Sequence, residues 1–455
     1  MQIETEDNDF GLVEDPQLDI MFCEKTKPLR RKKEAPGKKV LNVLSLFSGC
    51  GGMDLGFEGD FAVLENSINE ILTPHFVEEK LENGFVQLKK TKFKTVFAND
   101  ILSDARNAWV NFFSKRGHSV DDFYNESIVD LVKMHRKGIN VFPENVDLVT
   151  GGFPCQDFSI AGKRNGFESH KNHKGELINN KAASVETRGQ LYMWMKEVIE
   201  ITQPKIFIAE NVKGLVNLDN VKEVIQNDFS STSENGYIVL NPQVLHSADF
   251  GVPQSRQRVI FIGIKKSALN QSSLDELLND NINEKYNPYP KPTHSYTAQG
   301  DELKDFVQLK EVFENLGEPE ASNDLSQKYF SKAKYMGKHC QGQIEIKLSG
   351  ISPTIRAEHH GNIEFRRLSK ENGGQIDSEL NKGLQERRLT VRECALIQTF
   401  PPDYDFVIER KGGRKGSFLV SPSQAYKIIG NAVPPLLAYN IARRIEEVWD
   451  LYFKK

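Results

Sequence analysis

Gly151-Gly152-Phe153-Pro154-Cys155-Gln156-Asp157-Phe158-Ser159 sets a thiol in a glycine- and proline-flanked loop, directly after the apolar run Val146-Asp147-Leu148-Val149-Thr150. A free cysteine is more often inert core than nucleophile. At the carboxyl end of a strand, however, a loop of this composition presents the thiol instead of packing it, and a neighbouring cation would favour the reactive thiolate. Glu210-Asn211-Val212 closes a second apolar run, Lys205-Ile206-Phe207-Ile208-Ala209. Glu210 is either an acid at a helix start or a buried proton donor with a raised pKa. Gln254-Ser255-Arg256-Gln257-Arg258 leads into a third run at 259–264. Strand alternation there predicts Gln254, Arg256 and Arg258 on one face, a row of donors suited to an anion or a carbonyl oxygen.

A fourth motif suits a ligand more than a reaction. Phe47-Ser48-Gly49-Cys50-Gly51-Gly52-Met53-Asp54-Leu55-Gly56-Phe57 follows the run Val40-Leu41-Asn42-Val43-Leu44-Ser45-Leu46. Glycines between a buried strand and a helix permit positive φ and let a ligand approach free N–H groups at the helix start. The pattern is not Gly-x-Gly-x-x-Gly, and no Gly-Lys-Ser/Thr is present, which excludes a P-loop. Asn99-Asp100 ends the next apolar run, where an acid can accept from two ribose hydroxyls. The pair of motifs favours an adenosine-type ligand over a simple tight turn.

The elements that must position these motifs follow from periodicity. Short apolar runs at 40–47, 95–98, 146–150, 205–209 and 259–264 alternate with helical stretches, of which 191–201 is the clearest. That alternation predicts an α/β fold with a doubly wound, mostly parallel sheet, whose ligands sit beyond the carboxyl ends of the strands. Every motif above lies at such an end except Gln254–Arg258, which enters its strand. The pattern lapses at 266–385, which is richer in Asn, Gly, Pro and charge, with β-like pieces such as Gln343-Ile344-Glu345-Ile346-Lys347-Leu348; an amphipathic helix at 434–449 restores it. Four segments result: a charged tail at 1–39, a catalytic and ligand-binding domain at 40–265, a second, substrate-facing domain at 266–385, and a return to the first domain at 386–455.

Composition limits the function classes. The chain has 455 residues, 38% hydrophobic and 27% charged, enough for about two or three domains with a sizeable core. No apolar run approaches the roughly 20 residues that span a bilayer. The first twenty positions hold seven acids, no base and no apolar signal core, which argues against secretion. Five scattered cysteines without a Cys-x-x-Cys pair exclude a disulfide scaffold and suit a reducing cytoplasm. The net charge of −4 gives no hint of nucleic acid, so any basic surface is local.

Taken together and in order, the motifs resemble the cytosine-5 DNA methyltransferases. The match runs through 40–264 and 386–455. It includes Leu46-Phe47-Ser48-Gly49-Cys50-Gly51-Gly52, Gly152-Phe153-Pro154-Cys155-Gln156, Glu210-Asn211-Val212 and Gln254-Ser255-Arg256-Gln257-Arg258. It continues through Arg388-Leu389-Thr390-Val391-Arg392-Glu393-Cys394 to Ile429-Gly430-Asn431-Ala432-Val433-Pro434-Pro435. The resemblance implies covalent catalysis. Cys155 adds to carbon 6 of cytosine, Glu210 hydrogen-bonds or protonates ring nitrogen 3, Arg258 takes the carbonyl oxygen, and Gln254 and Arg256 support the active-site loop or a phosphate. It implies S-adenosyl-L-methionine as methyl donor, held by Phe47, Ser48, Gly49, Gly51, Gly52, Asp100, Ile101, Pro154, Leu191 and Asn431. Ser127 and Ile128 are further cofactor candidates, standing where the family commonly has an Asp-Ile that contacts the adenine amino group, and no metal is implied.

The substrate implied is a base flipped out of double-stranded DNA, with 163–188 resembling the loop that closes over it. Target recognition falls to 266–385, where Arg356, His359, Arg366 and Arg367 are candidates for base edges or phosphates. The run Ser352-Pro353-Thr354-Ile355-Arg356-Ala357-Glu358-His359-His360-Gly361-Asn362 resembles enzymes modifying GG-x-CC sites. The implied setting is a bacterial cytoplasm, on DNA, with the protein acting as a monomer beside a restriction endonuclease that shares its site but need not bind it. Two alternatives remain: a tRNA cytosine-5 methyltransferase, which the length of 266–385 disfavours, and a DNA-binding regulator without catalysis, which the joint presence of Cys155, Glu210 and both arginines disfavours. The base that removes the carbon 5 proton and the role of an insertion at 58–94 are not assigned by the sequence.

Overall fold

The computed structural model describes residues 40–154, 191–217, 221–232, 236–297, 302–340, 342–357, 363–412 and 416–454. The first apolar run forms strand β1 (Leu41–Leu46), buried along almost its whole length because neighbours cover both its faces. The glycine turn follows it and starts helix α1 (Gly52–Glu58). The 58–94 insertion folds as a small antiparallel sheet of β2 (Ala62–Leu64), β3 (Val77–Lys80) and β4 (Phe85–Leu88), in the order β2-β4-β3. The chain then returns through β5 (Phe93–Asn99), helix α2 (Ser103–Phe113), β6 (Phe123–Tyr124), α3 (Ile128–Arg136), β7 (Leu148–Gly152), α4 (Leu191–Thr202) and β8 (Ile206–Val212). After helix α5 (Val221–Ser230), three further strands follow: β9 (Tyr237–Val239), β10 (Gln243–His246) and β11 (Gln257–Lys265).

The main sheet runs β10-β11-β8-β7-β1-β5-β6, with β9 also on β11. Pairs β7–β8, β7–β1, β1–β5 and β5–β6 are parallel, whereas β11 is antiparallel to β8, β9 and β10. The fold is therefore mixed α/β with a mostly parallel central sheet. The chain leaves β1 first toward β5 and later returns on its other side as β7, so the carboxyl ends of β1, β5 and β7 form the switch point where such sheets bind ligands.

The C-terminal segment completes this layer. Helices α6 (Val391–Ile397), α7 (Pro422–Asn431) and α8 (Pro435–Phe453) pack back on the start of the sheet. The closeness is visible at Gly56, where a Cβ would lie 2.4 Å from both the Ala438 Cβ and the Pro435 carbonyl of α8. Residues 40–455 form one compact unit. Within 266–385 the elements are short. Gln343–Leu348, read from sequence as β-like, makes only an isolated bridge between Glu345 and Phe365.

The insertion, silent in the sequence, has a visible structural partner. Asn69 is 1% exposed and donates to the Thr293 and Glu302 carbonyls at 2.9 and 2.8 Å, while Lys304 Nζ donates back to Ile68 at 2.8 Å. The small sheet thus braces the 293–304 stretch, and on its other side Tyr439 of α8 donates to the Lys89 carbonyl at 3.0 Å.

Candidate active site

Glu210 lies near the end of β8, opposite Gly152 of β7 and Ile260 of β11. It is 8% exposed, and Arg258 Nε stands 2.7 Å from its Oε1. Burial pushes its carboxyl above the ordinary range, while Arg258 and then Arg256 pull the other way. An acid buried at the rim of a sheet, with one cation to anchor it, is suited to hold and deliver a proton. Gly152 is small for a reason visible here, since a Cβ on it would sit 3.0 Å from Glu210 Oε2. The next residue is fixed too, as Asn211 Nδ2 donates to the Phe153 carbonyl at 3.2 Å. The loop that leads to Cys155 therefore departs from a point fastened beside Glu210. Cys155 itself and the 163–188 segment lie outside the described residues.

Gln254 and Arg256 depart from the expected strand alternation. β11 begins at Gln257, so alternation does not extend to 254–256, and the three side chains do not form one row. Gln254 is fully buried, donates to Gln398 Oε1 and accepts from the Ile355 amide, each at 3.1 Å. Arg256, 1% exposed, donates to the carbonyls of Ile355 at 3.2 Å, Gly430 at 3.0 Å and Ala432 at 2.8 Å. A guanidinium enclosed by main-chain oxygens cannot reach a phosphate. Both residues brace the site by joining 355 and 430–432 to the entry of β11.

The ligand side gathers at the ends of β1 and β5. Phe47 adopts φ +53°, a left-handed conformation uncommon for an aromatic residue. Gly49 has φ +55°, and its amide donates to Asp100 Oδ2 at 3.0 Å, while Leu102 donates to Oδ1 at 2.8 Å. Asp100 thus ties the glycine turn to the end of β5, and each oxygen keeps lone-pair capacity for another donor. Burial raises its carboxyl pKa. Ile101 beside it leaves 43% of its surface open, an apolar face next to a polar one. Gly52 packs under the Val433 carbonyl, 2.2 Å from where a Cβ would stand, and exposed Asn431 lies in that same 431–433 stretch. Leu191 is buried at the start of α4, and Pro154 is half-buried after β7.

Ser127 and Ile128 stand at the start of α3. The Ser127 hydroxyl caps α3, accepting from the Val129 amide at 3.3 Å, and Ile128 is 3% exposed in the core.

The arginines assigned to DNA also need correction. Arg366 and Arg367 are buried, and three guanidinium groups (Arg366, Arg367, Arg387) meet three carboxylates (Glu318, Glu379, Glu393). Arg367 binds Glu379 at 2.9 Å and Glu318 at 2.5 Å, and Arg387 binds Glu393 at 2.9 Å. Charges buried in low dielectric are held by partners of opposite sign, which turns these side chains inward. Arg356 is half-buried with its carbonyl against Gly430, and His359 lies outside the described residues. Among the described residues of 266–385, the exposed cations include a closely spaced group, Lys328, Lys332, Lys334 and Lys338, with exposed His339 next to them.

A profile of the C-5 cytosine-specific DNA methylases matches residues 81–447. The type II methyltransferase M.BspRI of Lysinibacillus sphaericus is 32% identical over 421 residues, covering 91% of this chain and 83% of that protein. M.BsuRI of Bacillus subtilis, also a type II methyltransferase, is 33% identical over 411 residues, covering 89% and 79%. The Dnmt2 methyltransferase of S. pombe superposes with TM-score 0.51 at 17% identity, over 90% of this chain and 99% of that one, a likeness of fold. The chain belongs to the C-5 cytosine-specific DNA methylase family and is by class a DNA (cytosine-5) methyltransferase.

Proposed function

We propose that this protein transfers a methyl group from S-adenosyl-L-methionine to carbon 5 of a cytosine flipped out of a specific double-stranded DNA site, through a covalent bond to Cys155. It would act as a type II modification enzyme that protects DNA from a restriction endonuclease of the same specificity. The observation that carries this reading is the buried Glu210–Arg258 pair fastened beside the start of the Cys155 loop.

Cytosine carbon 5 is a poor nucleophile. The Cys155 thiolate adds to carbon 6, Glu210 gives a hydrogen bond or proton to nitrogen 3, and electron density moves to carbon 5. Arg258, spanning from Glu210 to the rim, orients the acid and is the assigned partner of the carbonyl oxygen. After methylation the carbon 5 proton leaves to a base, and the Cys155 sulfur departs by elimination. Extrusion of the base costs about a few kcal/mol of stacking and pairing.

The turn at 47–52 fits the methyl donor by its chemistry. Among the described residues, and chain neighbours aside, nothing lies within 4 Å of where a Gly49 Cβ would stand, amide donors converge near Asp100, and Ile101 offers an apolar face. Phe47, Gly49, Asp100, Ile101, Leu191 and Asn431 would hold the donor. Bound there, S-adenosylmethionine supplies an electrophilic methyl group.

Residues 266–385 are assigned to target recognition, with the lysines at 328–338 on phosphates. The test is duplex DNA carrying 5-fluorocytosine, which cannot release its substituent by elimination. Wild type should form a denaturation-resistant adduct in the presence of the donor, and Cys155→Ser should form none while still binding DNA. Full turnover by Cys155→Ser would refute the covalent route, and labelling of tRNA instead of duplex DNA would move the substrate.

A further inference from the structure

We infer that Asp54 is a positioning residue for the methyl-donor site, acting through Ser45 and Ser48 to hold the turn at 47–52 in its binding form. The inference rests on the assignment of that turn to S-adenosylmethionine. Asp54 lies in the first turn of α1 and is 1% exposed. The Ser45 hydroxyl donates to its Oδ1 at 2.5 Å and Trp109 Nε1 to its Oδ2 at 2.7 Å. The Ser48 hydroxyl donates in turn to the carbonyl and Oγ of Ser45, at 3.0 and 2.9 Å. Ser48 Oγ then accepts from the Asn99 amide at 3.1 Å, one residue before Asp100. A relay thus runs from a buried carboxylate through β1 to the two loop ends that carry the donor-site residues.

Its direction depends on charge. An ionised carboxylate only accepts, so it draws the Ser45 proton toward itself and leaves Ser45 Oγ to accept from Ser48. A neutral carboxyl can donate to Ser45, and the direction is no longer imposed. The groups facing Asp54 are Glu58 one turn along α1, His118 after α2, Cys50 in the turn and Tyr404 of the C-terminal segment, with Asp122 behind His118. Burial pushes the Asp54 carboxyl up to about 6, against the bonds from Ser45 and Trp109. A raised carboxyl favours the protonated fold, so between its unfolded range and that value stability falls as pH rises. The charge near neutrality therefore costs folding free energy, and neutralising it separates a positioning role from a structural one.

The experiment titrates the full chain with S-adenosylhomocysteine by calorimetry from about pH 5 to about pH 8, alongside urea unfolding. Wild-type affinity should weaken as pH falls through the Asp54 titration. Asp54→Asn can accept from only one of the two donors, so it should bind roughly tenfold more weakly near neutral pH and lose that pH dependence, with stability unchanged or higher. Ser45→Ala breaks the next link and should weaken binding similarly; it decides the matter if Asp54→Asn does not fold. Asp54→Asn with wild-type affinity across the pH range, or affinity lost only in step with stability, overturns the relay. Wild type that fails to bind S-adenosylhomocysteine at any pH overturns the donor-site assignment instead.

Discussion

At Glu210 two influences oppose one another: burial raises its carboxyl pKa, while Arg258, 2.7 Å from Oε1, anchors it and pulls the other way. Glu210→Gln preserves shape and a hydrogen-bond donor but cannot transfer a proton, so methyl incorporation should slow by about 10²-fold or more with donor affinity unchanged. The pH profile offers an independent check. A proton donor with a raised pKa stays protonated to higher pH, so the wild-type rate should fall on the alkaline side, and Glu210→Gln should lack that limb. Equal rates and equal profiles for the two proteins would remove Glu210 from the chemistry.

At the scale of elements, the entry to β11 matters more than its length suggests. Arg256 closes three carbonyls belonging to two distant stretches of chain, and Gln254 closes a fourth contact with Gln398. Arg256→Leu would leave those carbonyls buried without a donor, a loss of about 3 kcal/mol or more. Urea unfolding should show that loss, and donor affinity should fall with it because 430–432 includes Asn431. The same substitution at a surface phosphate contact would leave stability nearly unchanged, so the measurement distinguishes the brace from the phosphate contact that is one of the two roles read from sequence.

Across the whole molecule, charge is divided between a buried network and an exposed surface. Burial opposes the Glu318 charge, but Arg367 and Arg387 outweigh it and hold the carboxyl down to about 2. A lowered carboxyl contributes stability above its unfolded pKa that is lost as pH falls toward the folded value. Wild type should therefore be more stable than Glu318→Gln near pH 5, and the gap in urea midpoint should close as pH drops toward about 2. The lysines at 332, 334 and 338 lie outside that network. Replacing Lys334 and Lys338 with Ala should weaken duplex binding at low salt and reduce the slope of log affinity against log salt by about 2, with folding unaffected. An unchanged slope would place the DNA elsewhere.

The sequence by itself determined the central strands of the sheet, because strands buried on both faces read as unbroken apolar runs, and most of the polar motifs sit where such a run ends. It also marked Cys155, Glu210 and Asp100 as candidates, since reactive or ligand-accepting groups at strand ends stand out against that background. Only the tertiary structure decided which arginines are available. Arg256, Arg366 and Arg367 look like surface cations in one dimension, and their partners lie far along the chain, as with Glu318 for Arg367 and Gly430 for Arg256. Pairing of that kind depends on loops with no period to read. The 58–94 insertion was opaque for the same reason, its strands being short and its partners at 293–304 more than two hundred residues away.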